Sequence, residues 1–592
     1  MEAIYLALAC WMIGSGIDDL WLDFCYLVGR IARPRRSSSS NPSSTAIPPA
    51  DDPAEHPESL IALWIPAWRE DAVIARMIAH NTASIRYSRY HIFAGTYPND
   101  TATLEVLREL EKQFSNLHVS LAPHNGPTSK ADNLNWIYQN MLVVEDRIGE
   151  EFDIVVIHDS EDLIHPEEFR WLNHYCRDYD FVQIPVLALP TPWWELTHGI
   201  YCDEFAETQQ KDLPTRNRMG GFAPSCGVGT GYRRHALASL AEAESNRLFE
   251  PDSLTEDYLN GLRMHRLGLK QIYLSVAWVK GHPVATREFF PRKFRAAVRQ
   301  RTRWVTGIAL QTWQKVGWSK DWRENYWLWR DRKGLIGNPL SLLSNGLLTA
   351  SVAGLLPQLS GDLRLAIVAG LLLQSIRIAS RIYFTARVYG VCYALLVPVR
   401  IPWSNLVNTL ATLSALGCFA RARWRKEPLL WLKTEHAYPN RQMLNPYSRR
   451  FHEVLMDLKM IPRTELDAVA GRKPAGVRLG EYLVAEKLLD WDQLYHALSV
   501  LSSFPSARIA VEEIDIEAAR SLPRSLMLQA SLQPVRRGAE SLVIATSEIP
   551  TDGLVETVRK FTKRDPFFVL VTPENLEKLR LYVDAPLERL AA

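Results

Sequence analysis

The run Asp153-Ile-Val-Val-Ile-His-Asp-Ser-Glu-Asp162 decides how this chain folds. Ile154–Ile157 is apolar at every position rather than at alternate ones, the mark of a short strand covered on both faces. An acidic cluster follows at once, and in open α/β sheets ligands sit beyond the carboxyl ends of the strands. Working outward, Leu60–Ile65, closed by Pro66, and Tyr90–Ala94 read as further strands, while Asp71–Ser84 and Thr101–Phe114 have helical periodicity. This alternation over residues 58–330 predicts an α/β domain.

Polar clusters follow each strand. Trp68, Arg69, Glu70 and Asp71 come after the first, Tyr97, Pro98, Asn99 and Asp100 after the second, and His158, Asp159, Ser160, Glu161 and Asp162 after the third. Two acids one residue apart on a turn suit a hard divalent cation beside a diphosphate, although Asp159–Asp162 would equally suit the cap of a following helix. Lys130-Ala-Asp-Asn-Leu-Asn135 offers a cation for phosphate and amides for a sugar, or else simply starts a helix. Gly227-Val-Gly-Thr-Gly231 is a glycine-rich turn without the lysine of a P-loop or the spacing of a dinucleotide fingerprint. Thr255-Glu256-Asp257 presents paired carboxylates, one of them suited to act as a general base. Gln300, Arg303 and Trp304 share one helix face, where a guanidinium can neutralise a leaving diphosphate or anchor the helix at lipid headgroups.

The 592 residues suffice for three or four domains, and 68 Lys+Arg against 66 Asp+Glu leave a charge of only +2, which gives no reason to expect nucleic acid as a partner. Seven irregularly spaced cysteines argue against a disulfide framework or a zinc site. The 19 tryptophans and several charge-free runs point to a membrane. Ala3–Ile17 lacks charge and lacks the basic leader of a cleaved signal, so it reads as an uncleaved anchor, and Arg30, Arg33, Arg35 and Arg36 put its far flank in the cytoplasm. A Ser/Pro-rich linker follows. Gly334–Gly361 is long enough for one span. Leu363–Tyr389 is apolar but carries Arg377 and Arg381 on one face, which must look into protein or lie at the cytoplasmic boundary. Pro398, Arg400 and Pro402 interrupt Val388–Ala420, and Arg421, Arg423, Arg425 and Lys426 mark a cytoplasmic exit. Both flanks being cytoplasmic, the spans between them are even in number, two with interfacial helices or four. The expected organisation is an anchor at 1–32, a linker at 33–57, the α/β domain at 58–330, membrane and interfacial helices at 331–426, a second linker at 427–470 and a C-terminal domain at 471–592.

In order, IPAWRED (65–71), KADNLN (130–135), HDSED (158–162), VQIP (182–185), SCGVGTG (225–231), TED (255–257) and QRTRW (300–304) resemble the motifs of family-2 inverting glycosyltransferases with a GT-A fold, especially the membrane synthases of cellulose and hyaluronan. The resemblance implies that Glu70 and Asp100 hold the uridine of a UDP-sugar, and that Lys130, Asn133 and Asn135 touch its diphosphate or sugar. It implies that Asp159 and Glu161 hold Mg²⁺ or Mn²⁺, with Glu161 standing where the family has Asp. Asp257, paired with Glu256, would be the base. Gln300 and Arg303 would cover the diphosphate, and Trp304 would bind the acceptor. The implied reaction is an in-line displacement that turns an α-linked donor into a β-linkage on a growing glycan, fed outward through the membrane.

Beyond residue 470, Arg478-Leu-Gly480 and the apolar pattern through Leu498 predict a helical pair. With Leu522-Pro523, Gln533-Pro-Val535 and Leu542–Ala545 it resembles the MshE-like N-terminal domain of type II secretion ATPases. That resemblance implies a small α+β domain in which Arg478 and Gly480 bind cyclic di-GMP. Lys487 and Leu501 replace the usual glycine and glutamine and no second RLG repeat is present, so a docking domain without its ligand is the other reading. TYPND (96–100), DRKGLIGNPLSLL (331–343) and RIASRIY (377–383) are similar to the bacteriophage adsorption protein B family of bacterial inner-membrane proteins. That family implies an exopolysaccharide synthase using an N-acetylhexosamine donor, with an outer-membrane partner of the adsorption protein A type. A non-catalytic phage-receptor scaffold and a single-sugar transferase to lipid are the alternatives.

Overall fold

The computed structural model describes residues 2–31, 56–427 and 451–584, apart from breaks at 72, 244–246, 280, 356–360, 459, 475, 503 and 539–540. Residues 33–55 of the linker expected at 33–57, and residues 428–450 of that at 427–470, therefore lie outside the described residues.

The N-terminal helix α1 is Glu2–Ile31. Then come β1 (Ile61–Pro66), α2 (Ile74–Ser84), β2 (Tyr90–Thr96), α3 (Thr101–Gln113), β3 (Leu117–Leu121), α4 (Lys130–Ile148) and β4 (Ile154–Ile157). Next are β5 (Phe181–Gln183), β6 (Val186–Ala188), α5 (Leu196–Glu207), β7 (Thr230–Arg233), α6 (Glu256–Arg266), β8 (Gln271–Tyr273), the hairpin β9 (Ala277–Val279) and β10 (His282–Val284), β11 (Thr286–Glu288) and α7 (Phe294–Trp304). Three long helices follow, α8 (Gly334–Val352), α9 (Gly361–Tyr389) and α10 (Val397–Arg425). The C-terminal part holds α11 (Phe451–Asp457), α12 (Leu479–Ala485), α13 (Trp491–Ser502) and the strands β12 (Leu532–Arg537), β13 (Ser541–Thr546) and β14 (Asp565–Leu570). The strand expected at 153–157 is β4, buried at all its positions, and those expected at 60–65 and 90–94 are β1 and β2. No helix begins at Asp159–Asp162, where the chain runs as an irregular loop to a helix at Glu168–Tyr175.

The chain forms two units, one comprising Met1–Leu63, Thr128–Asp159 and Arg170–His436, the other Trp64–Pro127, Ser160–Phe169 and Ala437–Ala592. In the first unit the strand order is β1-β4-β7-β5-β8. β7 runs antiparallel to both neighbours, with Gly231 opposite Val156 and Val182, while β5 and β8 are parallel, so the sheet is mixed. A second parallel pair, β6 with β11, sets Val186 opposite Thr286.

Two helices of this unit, Ala3–Ile31 and Gly361–Tyr389, are long and apolar enough to cross a membrane. Their charges meet partners. Asp18 of α1 pairs with Arg330 and, at 2.7 Å, with Lys333. Asp19 pairs with Arg330, Lys333 and Arg377 at 3.2, 3.1 and 3.3 Å. Arg381 meets Glu207 of α5 at 2.9 Å, so both arginines noted on α9 face acids of the protein. The interruption expected in Val388–Ala420 is present but falls ahead of the residues named for it: α9 ends at Tyr389, a single helical turn covers Val391–Ala394, and α10 starts at Val397 with Pro398 in its first turn and runs on through Pro402, while the wholly buried Arg400 pairs with Asp203 of α5 at 2.6 Å.

In the second unit the order is β3-β2-β1, with β2 and β3 parallel and Ile92 opposite Leu117. α2 buries Ile74, Met77 and Ile78. The C-terminal sheet has the order β12-β13-β14, antiparallel then parallel. One side of it buries Val535, Val543, Val569 and Leu579, and the helices before it close a separate core around Val454, Leu455, Leu483 and Ala497. The α+β domain expected here is thus present.

Candidate active site

In the first unit, Ser129 caps α4 by accepting a hydrogen bond from the Asp132 amide at 3.2 Å, which fixes Lys130 at the helix start just after the carboxyl end of β3. The Lys130 ammonium lies 2.5 Å from Asp159 Oδ1 and donates to the Gly227 carbonyl at 3.1 Å. Gly227 has φ +79°, and a Cβ there would stand 2.6 Å from Asp257 Oδ2 and 3.5 Å from Lys130 Nζ. Glycine is needed here on both counts, since the backbone takes a left-handed turn and passes directly against the carboxylate. Motifs 97 residues apart thus converge, as the Lys130–Gly227 bond shows.

The shape of that turn depends on Gln183, a wholly buried amide at the end of β5. Its Oε1 accepts from the Cys226 amide at 2.9 Å and the Thr230 hydroxyl at 2.8 Å, and its Nε2 donates to the Val228 and Ile184 carbonyls at 2.8 Å. The VQIP motif was quoted above without a role for its glutamine. The available signal is a polar residue in an otherwise apolar strand, which has to find partners when buried.

Asp257 and Glu256 open α6, both within this buried region. Burial raises the Glu256 carboxyl to about 7, helped by the charge of Asp257 and opposed by Lys130 and Arg303. Asp257 is also raised, by burial, against the pull of Lys130 and Arg303. Burial lowers the Lys130 ammonium, but Asp159, Glu256 and Asp257 outweigh it and hold the group firmly protonated. Two buried, adjacent carboxylates therefore hold their protons to higher pH than free ones do, against the pull of Lys130 and Arg303.

From α7, Arg303 is close enough to influence both carboxylates, and its Nε and the Gln300 Oε1 are buried without a hydrogen-bond partner. Trp304 stacks on Phe205 with ring centroids 6.2 Å apart and meets Tyr201 edge-on at 6.0 Å. Arg301, within QRTRW, bonds Glu204 at 2.7 Å and Asn408 of α10 at 2.6 Å, tying α7 to that helix. Asn133 is buried on α4. Asn135 commits both ends of its amide to the loop before α6, accepting from the Leu248 and Phe249 amides and donating to the Phe249 carbonyl at 2.8 Å.

In the second unit, the loops after β1, β2 and β3 meet. Asn99 and Gly126 exchange hydrogen bonds of 2.7 and 2.8 Å. Asp100 Oδ2 accepts from the Arg69 amide at 2.5 Å, and Thr103 accepts from the Glu70 amide at 3.0 Å. Trp68 and Tyr97 pack edge to face at 5.4 Å, and a Cβ on Gly126 would strike both rings at 2.8 Å. The structure so brings Glu70 and Asp100 together, both buried, in the loops after β1 and β2. Glu161 and Asp162 are buried in the loop after Asp159. Among the described residues no group of three or more acidic, histidine or cysteine side chains could hold a metal by itself. The oxygen donors of Asp159 and Glu161 nonetheless suit Mg²⁺ or Mn²⁺, which binds through one or two carboxylates and completes its shell with phosphate and water. The cation already drawn to Asp159 shows the pull of that position.

In the C-terminal domain Arg478 pairs with Glu548 at 3.1 Å, and a Cβ on Gly480 would lie 2.5 Å from Leu494, so helix packing itself calls for glycine there. All seven cysteines are free.

A mixed α/β sheet with acids, a lysine and a glycine turn at its strand ends defines a family-2 glycosyltransferase with a GT-A fold, and residues 57–307 match the family described as glycosyltransferase like family 2. Residues 502–582 match the MshEN domain, a range that begins after Arg478 and Gly480. Bacteriophage adsorption protein B of Escherichia coli (strain K12) is 30% identical over 98% of this chain and 81% of its own length. The chain belongs to the bacteriophage adsorption protein B family. Among solved structures, a mannosyltransferase from Pyrobaculum calidifontis in complex with GDP-Man and Mn²⁺ is 15% identical, with 68% of this chain and 99% of that one covered at a TM-score of 0.44. MshE with cdg is 24% identical over 23% of this chain and 99% of its own, at a TM-score of 0.20.

Proposed function

We propose that the protein is an inverting, metal-dependent synthase that transfers a sugar, an N-acetylhexosamine by preference, from a UDP-sugar to a growing exopolysaccharide. The observation that carries this reading is the meeting of Lys130, Asp159, Gly227 and Asp257 in one half-buried cluster. Asp257 takes the proton of an acceptor hydroxyl, whose oxygen attacks the anomeric carbon from the face opposite the diphosphate. The bond from that carbon to the diphosphate oxygen breaks, and its electron pair leaves with UDP. Lys130, Gln300 and Arg303 neutralise or bond the departing diphosphate, with Asn133 beside them, while Asn135 braces the loop ahead of the base. Asp159 and Glu161 hold Mg²⁺ or Mn²⁺, which supplies further positive charge to the leaving group. Glu70 and Asp100 bind the uridine, and Trp304 offers a ring face to the acceptor sugar.

The membrane helices fit a multi-pass protein of the bacterial inner membrane with its catalytic and C-terminal domains in the cytoplasm, where nucleotide sugars are made. The polymer would pass outward beside α7 and α10 towards an outer-membrane partner of the adsorption protein A type. In the C-terminal domain, Arg478 and Gly480 would take cyclic di-GMP as an effector, with Glu548 displaced from Arg478.

Release of UDP by the purified protein, assayed with Mg²⁺ or Mn²⁺ over a panel of UDP-sugars with and without cyclic di-GMP, tests this. Turnover of one donor that disappears in Asp257→Asn is expected. No turnover of any donor under either condition would overturn the reading in favour of a scaffold.

A further inference from the structure

Within the second unit, α2 is attached at three points along its length. Its first turn grows from the nucleotide loop, where the Glu70 carbonyl accepts from the Val73 and Ile74 amides at 3.0 and 2.9 Å. Further along, the buried Asn81 grips the acidic loop on two sides, donating to the Asp162 carbonyl at 2.9 Å and accepting from the Ile164 amide at 3.0 Å. Just past its end, Arg86 reaches the same loop and the C-terminal part at once. Its amide donates to the Pro166 carbonyl at 2.8 Å, one guanidinium nitrogen meets Glu167 at 3.2 Å, and the other meets Glu453 of α11 at 3.4 Å.

The C-terminal domain is held against this part of the transferase by more than one contact. α13 packs on α2. Arg536 of β12 joins Glu109 of α3 at 2.5 Å and Glu513 at 3.4 Å. On its other side α13 supports the strip that carries Glu548, since the Tyr495 hydroxyl donates to the Ser547 carbonyl at 2.7 Å. α13 therefore lies between the Arg478–Glu548 pair and α2, and α2 lies between α13 and the loop Ser160–Glu167.

We propose that α2 is the lever through which the C-terminal domain sets the acidic loop, with Arg86 as its input and Asn81 as the positioning residue at its output. The proposal deepens the function given above and rests on it for the meaning of Glu161, but not for the mechanics. A domain that pulls on Glu453 or α13 moves α2, and α2 cannot move without carrying the Asp162 carbonyl and the Ile164 amide, because one short side chain bonds both. The nucleotide loop moves with them, since Glu70 is continuous with the helix. The effect of the C-terminal domain would thus fall on donor and metal binding, at the strand ends, rather than on the base.

The Ile164 amide gives a direct readout that needs neither donor nor metal. Hydrogen–deuterium exchange is followed by mass spectrometry in the full-length, detergent-solubilised protein, on peptides covering 160–169 and 491–502. Glu453→Gln and Arg86→Met are compared with Arg86→Lys, which keeps the charge. Exchange at 160–169 is expected to quicken about three- to tenfold in Glu453→Gln and Arg86→Met, the range set by losing one hydrogen bond or ion pair. It should recover in Arg86→Lys. Unchanged exchange at 160–169 while 491–502 quickens would overturn the proposal. Quickening in Arg86→Met alone would also overturn it, because Arg86 would then act only through Glu167. In steady state, Asn81→Ala is expected to raise the KM for the donor at nearly constant kcat, and a fall in kcat alone would count against a positioning role. A protein with no UDP release in any form fails the function above, yet its exchange data still decide the lever.

Discussion

The Lys130 ammonium stands 2.5 Å from Asp159, so the carboxylate expected to receive a divalent metal already holds a monovalent one. Lysine and metal compete for the same oxygen unless the donor diphosphate draws the lysine away. Lys130→Met is expected to lower kcat/KM for the donor by about ten- to a hundredfold, the value of one charge-assisted hydrogen bond. The Mn²⁺ concentration giving half-maximal UDP release should fall at the same time. An unchanged or higher metal requirement would show that the lysine does not occupy the metal's place.

Gly227→Ala places a Cβ 2.6 Å from Asp257 Oδ2 on a residue with φ +79°. The backbone strain alone costs about 1–2 kcal/mol. A lower melting temperature and a loss of UDP release larger than that cost explains are expected together, because the carboxylate must shift. Full activity in this variant would separate Gly227 from the catalytic geometry.

The acid pair predicts a pH dependence of definite sign. Burial and the neighbouring charge raise Glu256 to about 7, and burial raises Asp257. Between the ordinary carboxylate range and about 7, the folded protein binds more protons here than the unfolded chain does, so these groups make stability fall as pH rises through that window. Activity runs the other way, since a base must be ionised. The acid limb of the kcat/KM profile should lie above the ordinary carboxylate range and move to lower pH in Glu256→Gln, which removes one negative neighbour.

Asp19 faces Arg330, Lys333 and Arg377 within 3.3 Å. Asp19→Asn removes one of the acids that balance three nearby cations, and breaking a buried pair of this kind costs about 3 kcal/mol. The melting temperature of the detergent-solubilised protein should drop, and an unchanged value would show that these pairs add nothing to stability.

The elements that could be read from sequence were those whose cause is local. β4 announces itself by unbroken apolar residues, and α3 by its repeat of Leu104, Leu107 and Leu110 on one buried face. The start of α4 was legible in KADNLN, but which of its residues faces the cluster was not. Lys130 reaches Gly227 and Asp159, whereas Asn135 turns to the 248–249 backbone, a difference set by partners up to 114 positions away. α10 was obscured for the same reason. Arg400 reads as a foreign charge in an apolar run until its partner Asp203, 197 residues earlier, comes into view. The arginines of α9 need partners on an otherwise apolar helix, and the structure supplies Asp19 and Glu207.

The paired acids of α1 also bear on how the chain is made. Arg330 follows Asp18 by 312 residues, so the ribosome delivers the acids long before their counter-ions. Through the synthesis of the whole catalytic domain, Asp18 and Asp19 must stay hydrated. Their burial is completed only when Arg330 and Lys333, and then Arg377 on α9, come to rest against a helix that was made first.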